Sequence, residues 1–111
     1  MKYYPVASTS ELSDIAQIHI KLNDEEILLC RDGEDYFAVS YYCSHEIFPL
    51  EGGSIANRCI TCPYHGAEFS LETGEAMAPP AWEDIKIYPT SVEKGIISIG
   101  IADWPDSMKL H

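Results

Sequence analysis

Gln17-Ile18-His19-Ile20-Lys21-Leu22 alternates polar and apolar residues, and after Asn23-Asp24 the chain continues through the short apolar run Ile27 to Arg31. A turn-forming Asp32-Gly33-Glu34-Asp35 then leads into the aromatic and β-branched stretch Tyr36 to Tyr42. A period of two places successive side chains on opposite faces and marks a half-buried strand. The Asp-Gly pair between two such runs marks a hairpin. Working outward, Ile85 and Ile87, then Ile97, Ile99 and Ile101 around the Lys94-Gly95 turn, repeat the alternation. Helical signal is confined to Ser8 to Asp14, where Ser10 is placed to cap a single turn. There is no internal repeat and no low-complexity stretch. The expected body is all-β and antiparallel.

With 111 residues the chain has the length for one compact core, so residues 1–111 are read as a single domain. Eighteen acidic residues against seven basic ones leave a net charge of −11. That charge repels phosphate backbones, and no Lys/Arg cluster offsets it, which argues against nucleic-acid binding. An acidic surface suits a partner with a basic patch, or serves solubility alone. No apolar run approaches the roughly 20 residues of a membrane helix, and Met1-Lys2-Tyr3-Tyr4-Pro5 has no apolar signal segment behind it. The expectation is a soluble, cytoplasmic protein with no membrane contact.

From Cys43 to Asp84 the pattern changes: this segment holds most of the Gly and Pro, and seven acids against the single base Arg58. It reads as a loop-rich insertion ordered by something other than a core, for which a bound metal would serve. Two short patterns stand in it, Cys43-Ser44-His45 and Cys62-Pro63-Tyr64-His65, with sixteen residues between His45 and Cys62. Cysteines in a reducing compartment are ligands or buried thiols more often than disulfides. Two Cys and two His match a tetrahedral zinc site in number. Zinc modules, however, pair Cys with Cys and His with His, whereas each loop here offers a mixed pair, which suits a binuclear iron–sulfur centre. Cys30, inside an apolar run, reads as a buried small hydrophobe. Cys59 forms a Cys-x-x-Cys with Cys62 but stands outside the mixed pairs, and His19 and His111 read as solvated side chains.

Cys43 to Ala81 resembles the Rieske [2Fe-2S] family: C-x-H, a sixteen-residue spacer, C-P-x-H-G, then Phe69, Thr73-Gly74 and Pro79-Pro80. The resemblance implies the Rieske fold, an antiparallel β-sandwich body carrying a loop-rich cluster-binding subdomain at about 43–84. It implies one Rieske-type [2Fe-2S] cluster, with Cys43 and Cys62 on the inner iron and His45 and His65 on the outer, redox-active one. Gly66 would admit the backbone close to the cluster, Gly52-Gly53 and Gly74 would turn with positive φ, and Pro79-Pro80 would cover it. Where high-potential members carry a disulfide, this chain has Phe48 and Tyr64. Where they carry hydroxyl donors it has Ala67 and Phe69, which implies a low potential.

The oxygenases of the family need far more chain, so the resemblance implies a carrier and not an enzyme. It would be the ferredoxin component of an aromatic-ring-hydroxylating dioxygenase system of the naphthalene, biphenyl, toluene or carbazole type. Its partners would be an NAD(P)H-dependent flavoprotein reductase and a terminal Rieske oxygenase, met as a monomer. Leu50 is expected to pack beneath the cluster. Phe48 and the proline loop with Ala81 and Trp82, ringed by Glu46, Glu51 and Glu83, are expected to form the docking patch. The small subunit of assimilatory nitrite reductase and a structural zinc module are the alternative readings.

Overall fold

The structure, a computed structural model, describes residues 2–43, 48–64, 66–78 and 83–101. Its strands are β1 (Lys2–Ser8), β2 (Gln17–Leu22), β3 (Glu25–Asp32), β4 (Asp35–Ser40), β5 (Ser54–Ala56) and β6 (Cys59–Thr61). They continue as β7 (Glu68–Ser70), β8 (Ala76–Ala78), β9 (Ile87–Tyr88), β10 (Thr90–Glu93) and β11 (Ile96–Ile101). These form three antiparallel sheets, ordered β1-β11-β10, β2-β3-β4-β9 and β5-β6-β7-β8. The expected hairpins are present: Gln17 faces Cys30 and Leu22 faces Glu25, then Ile27 faces Ser40 and Asp32 faces Asp35.

The β2-β3-β4-β9 sheet is the middle layer. On one face, Ile27, Leu29, Ala38 and Tyr88 pack with Ala7, Ile97, Ile99 and Ile101 of the β1-β11-β10 sheet. On the other, Leu28, Cys30 and Val39 pack with Leu50, Ile60, Phe69 and Leu71 of the segment that contains β5 to β8. This double cover explains why Ile27 to Cys30 is continuously apolar where its neighbour β2 alternates: a strand covered on both sides has no face for polar residues. All four are fully buried.

Three expectations need correction. The insertion after Cys43 is not ordered by a metal alone, because it folds a four-stranded sheet of its own and contributes Leu50, Ile60, Phe69 and Leu71 to a continuous core. Each of its strands is three residues long, too short to register as a period. The single turn is a 3-10 helix over Thr9–Leu12 whose N-cap is Ser8, not Ser10; the Ser8 amide donates to the Glu11 carboxylate at 2.9 Å. Ile85 lies outside any strand, yet it is 6% exposed and its amide donates to the Gly74 carbonyl at 2.8 Å.

Strand β9 is held by Glu25 at the start of β3, whose carboxylate accepts from the Tyr88 hydroxyl at 2.5 Å and from Lys86 Nζ at 3.0 Å. The Tyr88 bond, reinforced by Lys86, holds the Glu25 carboxyl below its ordinary value, against the opposing pull of burial. A depressed carboxyl contributes stability that is complete above its unfolded value and fades as pH falls through the folded one. Glu25→Gln is therefore expected to cost about 1 kcal/mol near neutrality, by loss of charge-assisted bonds at a partly exposed site. The difference from the parent should stay constant down to about pH 4.5 and then shrink, as urea denaturation of both proteins across that range would show.

Candidate metal centre

Both cysteine loops are built on one pattern. In the first, Leu50 N donates to Tyr41 O at 2.7 Å, Tyr42 bridges Pro49, and Cys43 N donates to Phe48 O at 2.9 Å. In the second, which leaves β6 at Thr61, Cys62 N donates to Ala67 O at 2.7 Å and Gly66 N to Cys62 O at 3.0 Å. Each cysteine thus has its amide tied to a carbonyl five residues on. The rings of Phe48 and Tyr64 stack across the two loops, centroids 4.9 Å apart and 24° between planes.

Cys43 is 4% and Cys62 1% exposed, and both belong to the same buried cluster with Leu50, Ala67 and Phe69. Neither forms a disulfide. Two cysteines outside any disulfide, brought into one apolar cluster and each opening a closed turn, are a soft donor pair suited to iron–sulfur or zinc chemistry. The other two expected ligands, His45 and His65, lie outside the described residues, as do Glu46, Pro79, Pro80, Ala81, Trp82 and His111. Among the described residues no group of three His, Cys, Asp or Glu side chains converges on a metal position.

The remaining cysteines occupy different settings. Cys30 is mid-strand, opposite Phe37, fully buried, and burial pushes its thiol up to about 12. It is the small core residue expected. Cys59 opens β6 opposite Ser70 and Ala56, and burial, with Glu68, Glu72 and Asp32 nearby, raises its thiol.

Three contacts attach this end of the molecule to the middle sheet, through residues that carried no sign of it in the sequence. The Gln17 carboxamide donates from Nε2 to Gly53 O at 2.6 Å and accepts from Gly52 N at 2.8 Å. The Tyr41 ring stacks on His19 at 3.7 Å, and its hydroxyl donates to Glu51 at 2.7 Å, which pushes that phenol up to about 12. His19 is exposed, as expected, yet it is paired with Glu26 at 3.2 Å as well as stacked. Arg58, the one base of its segment, is paired with Asp35, its amide donates to Asp32 at 2.7 Å, and its guanidinium lies over Phe37 at 5.5 Å. Gln17 and His19 sit opposite Cys30 and Leu28, so the polar face of β2 is turned towards the cysteine loops.

Glycine is required at two joints here. A Cβ on Gly53 would lie 2.1 Å from Thr61 O, and one on Gly74, whose φ is +80°, would lie 2.1 Å from Ile85 O. Gly52 turns with positive φ as expected, but Gly53 does not, and its constraint is the close approach of the first loop to β6.

The profile of the Rieske [2Fe-2S] domain matches residues 2–89. The 3-phenylpropionate/cinnamic acid dioxygenase ferredoxin subunit of Photorhabdus laumondii is 34% identical over 99 residues, covering 88% of this chain and 93% of its own. The ferredoxin component of the naphthalene 1,2-dioxygenase/salicylate 5-hydroxylase systems of a Ralstonia species is 33% identical over 85 residues, covering 74% of this chain and 82% of its own. Among solved structures, the ferredoxin of carbazole 1,9a-dioxygenase from Nocardioides aromaticivorans superposes with a TM-score of 0.83 at 26% identity, covering 89% of this chain and 97% of that one.

Replacing His65 by Cys is expected to abolish the electron-resonance signature of mixed Cys/His ligation, whereas Cys59→Ser should leave it unchanged. An unaltered spectrum from His65→Cys would refute the ligand assignment.

Proposed function

The chain belongs to the Rieske [2Fe-2S] domain family, and from that membership we propose that it is a low-potential one-electron carrier, the ferredoxin component of an aromatic-ring-hydroxylating dioxygenase system. In this reading it accepts electrons from an NAD(P)H-dependent flavoprotein reductase and delivers them to a terminal Rieske oxygenase. Residues 1–111 act as one unit, with 43–84 as the cluster-binding part, and Cys43, His45, Cys62 and His65 are the ligands. The observation that carries the proposal is the pair of buried cysteines Cys43 and Cys62, neither in a disulfide and both in one apolar cluster, in a chain that aligns with a dioxygenase ferredoxin subunit over 93% of that subunit's length.

When bound, the cluster supplies a centre that takes up and releases one electron at a time. The chain's own residues shape that centre's surroundings. Leu50, Ile60, Ala67 and Phe69 are fully buried around the two thiols and exclude water from that side. Ala67 and Phe69 carry no hydroxyl to stabilise the more negative, reduced state, which supports a low potential. Phe48 is partly exposed and stacked on Tyr64, and among the described residues of the segment from Cys43 to Asp84 the large apolar side chains most open to solvent are Tyr64, 56% exposed, and Met77, 52% exposed. The exposed Glu51 carboxylate is held in place by the Tyr41 hydroxyl, which donates to it at 2.7 Å. An apolar contact flanked by acids suits a weak, fast-exchanging interface with a basic partner surface.

Redox titration followed by electron resonance should give a midpoint near about −150 mV, the low end of the Rieske range. A value above zero would refute the carrier proposed here. In stopped-flow reduction by a flavoprotein reductase of an aromatic dioxygenase system, the rate should fall as salt shortens the Debye length from about 10 Å to 3 Å. Glu51→Gln combined with Glu83→Gln should lower the rate at low salt and flatten that dependence, while Tyr64→Ala should slow transfer at every salt concentration. A rate insensitive to salt and to these substitutions would place docking elsewhere.

A further inference from the structure

We propose that Gln17 is a positioning residue for the metal centre, because its carboxamide clamps the Gly52–Gly53 turn at the point where the two cysteine loops meet. This deepens the carrier reading and rests on the assignment of Cys43 and Cys62 as ligands. Both polar atoms of the side chain are used: Nε2 on Gly53 O at 2.6 Å and Oε1 on Gly52 N at 2.8 Å, across 36 and 35 residues of chain. The turn's own bond, Gly53 N to Leu50 O at 2.9 Å, leaves that amide and that carbonyl to be satisfied, and one planar carboxamide satisfies both. No other side chain of similar length offers a donor and an acceptor side by side. A glutamate lacks the donor and an asparagine is one methylene too short.

The clamped turn is mechanically linked to both ligands. Its Leu50 end is the base of the first loop, through Leu50 to Tyr41, Pro49 to Tyr42 and Phe48 to Cys43. Its Gly53 end lies hard against Thr61 O, the residue before Cys62, with no space even for a methyl group. A shift of the turn therefore moves the first loop relative to Cys62. Gln17 stands on the edge strand β2 directly opposite Cys30 of the doubly covered strand β3, so the separation of the two thiols is referred to the middle sheet and not to the loops themselves.

The test compares purified, cluster-loaded parent, Gln17→Ala, Gln17→Glu and Glu25→Gln. Glu25→Gln weakens the middle sheet at β9 and controls for lost stability. Cluster release to a chelator is followed by visible absorbance below the melting temperature of every variant. Gln17→Ala is expected to release its cluster about tenfold faster, the low end of what is lost when a group bonded directly to a ligand is removed, with a broadened resonance and faster hydrogen exchange at the Gly52 amide. Gln17→Glu, which sets a carboxylate oxygen against the Gly53 carbonyl in place of the donor, should release its cluster at least as fast as Gln17→Ala, and Glu25→Gln should melt earlier with parental release and spectrum. Parental release and spectrum in Gln17→Ala would overturn the proposal, and so would equal acceleration in Glu25→Gln at the same loss of melting temperature. A parent without the mixed-ligand resonance would overturn the metal reading itself, a result separate from either of these.

Discussion

Strand β3 is enclosed on both faces, and everything else in the molecule is arranged around that fact. Ile27 and Leu29 face one core, Leu28 and Cys30 the other, and all four are withdrawn from solvent. Burying a side chain of this size is worth about 1.5–3 kcal/mol, so four consecutive ones make β3 the costliest strand to displace. The sandwich below and the cysteine-bearing sheet above both depend on it. The candidate ligands Cys43 and Cys62 pack in the same core as Leu28 and Cys30, against a strand that cannot move without opening two cores together.

The antiparallel body was legible because its signals are local. The alternation of β2, the Asp-Gly turn and the isoleucines of β11 each report a strand without reference to distant residues. The candidate ligands were legible because metal chemistry imposes spacing: a Cys and a His two or three residues apart declare themselves wherever they stand. The second sheet was not legible, since its three-residue strands are shorter than any window in which a period can be counted. Nor were Gln17, Tyr41 and Arg58, whose partners lie 10 to 36 residues away. A polar residue on an alternating strand looks the same whether it meets water or the backbone of another loop. The Ser8 cap shows the local version of the limit: three serines lie in the six residues Ser8 to Ser13, and only the geometry of the turn distinguishes the one that caps it.

The charge of the chain and the apolarity of its metal end serve opposite purposes within a short distance. Around the thiols, the buried side chains of Leu50, Ala67 and Phe69 are apolar. Outside that shell the acids dominate, and the single base of the segment, Arg58, is already engaged by Asp35 and Phe37. The inner environment sets how readily an electron is held, and the outer one sets which surfaces approach. Because the two are made by different residues, either can change while the other is kept.

The stack of Phe48 on Tyr64 bears on how the metal end is assembled. A covalent bridge between two loops must be made by an oxidant and can be undone by glutathione. Two rings in contact require neither. They close by dispersion and desolvation alone, separate by side-chain rotation, and are indifferent to the thiol balance of their surroundings. The contact between the loops is therefore made without an oxidant, beside two cysteines, Cys43 and Cys62, that form no disulfide.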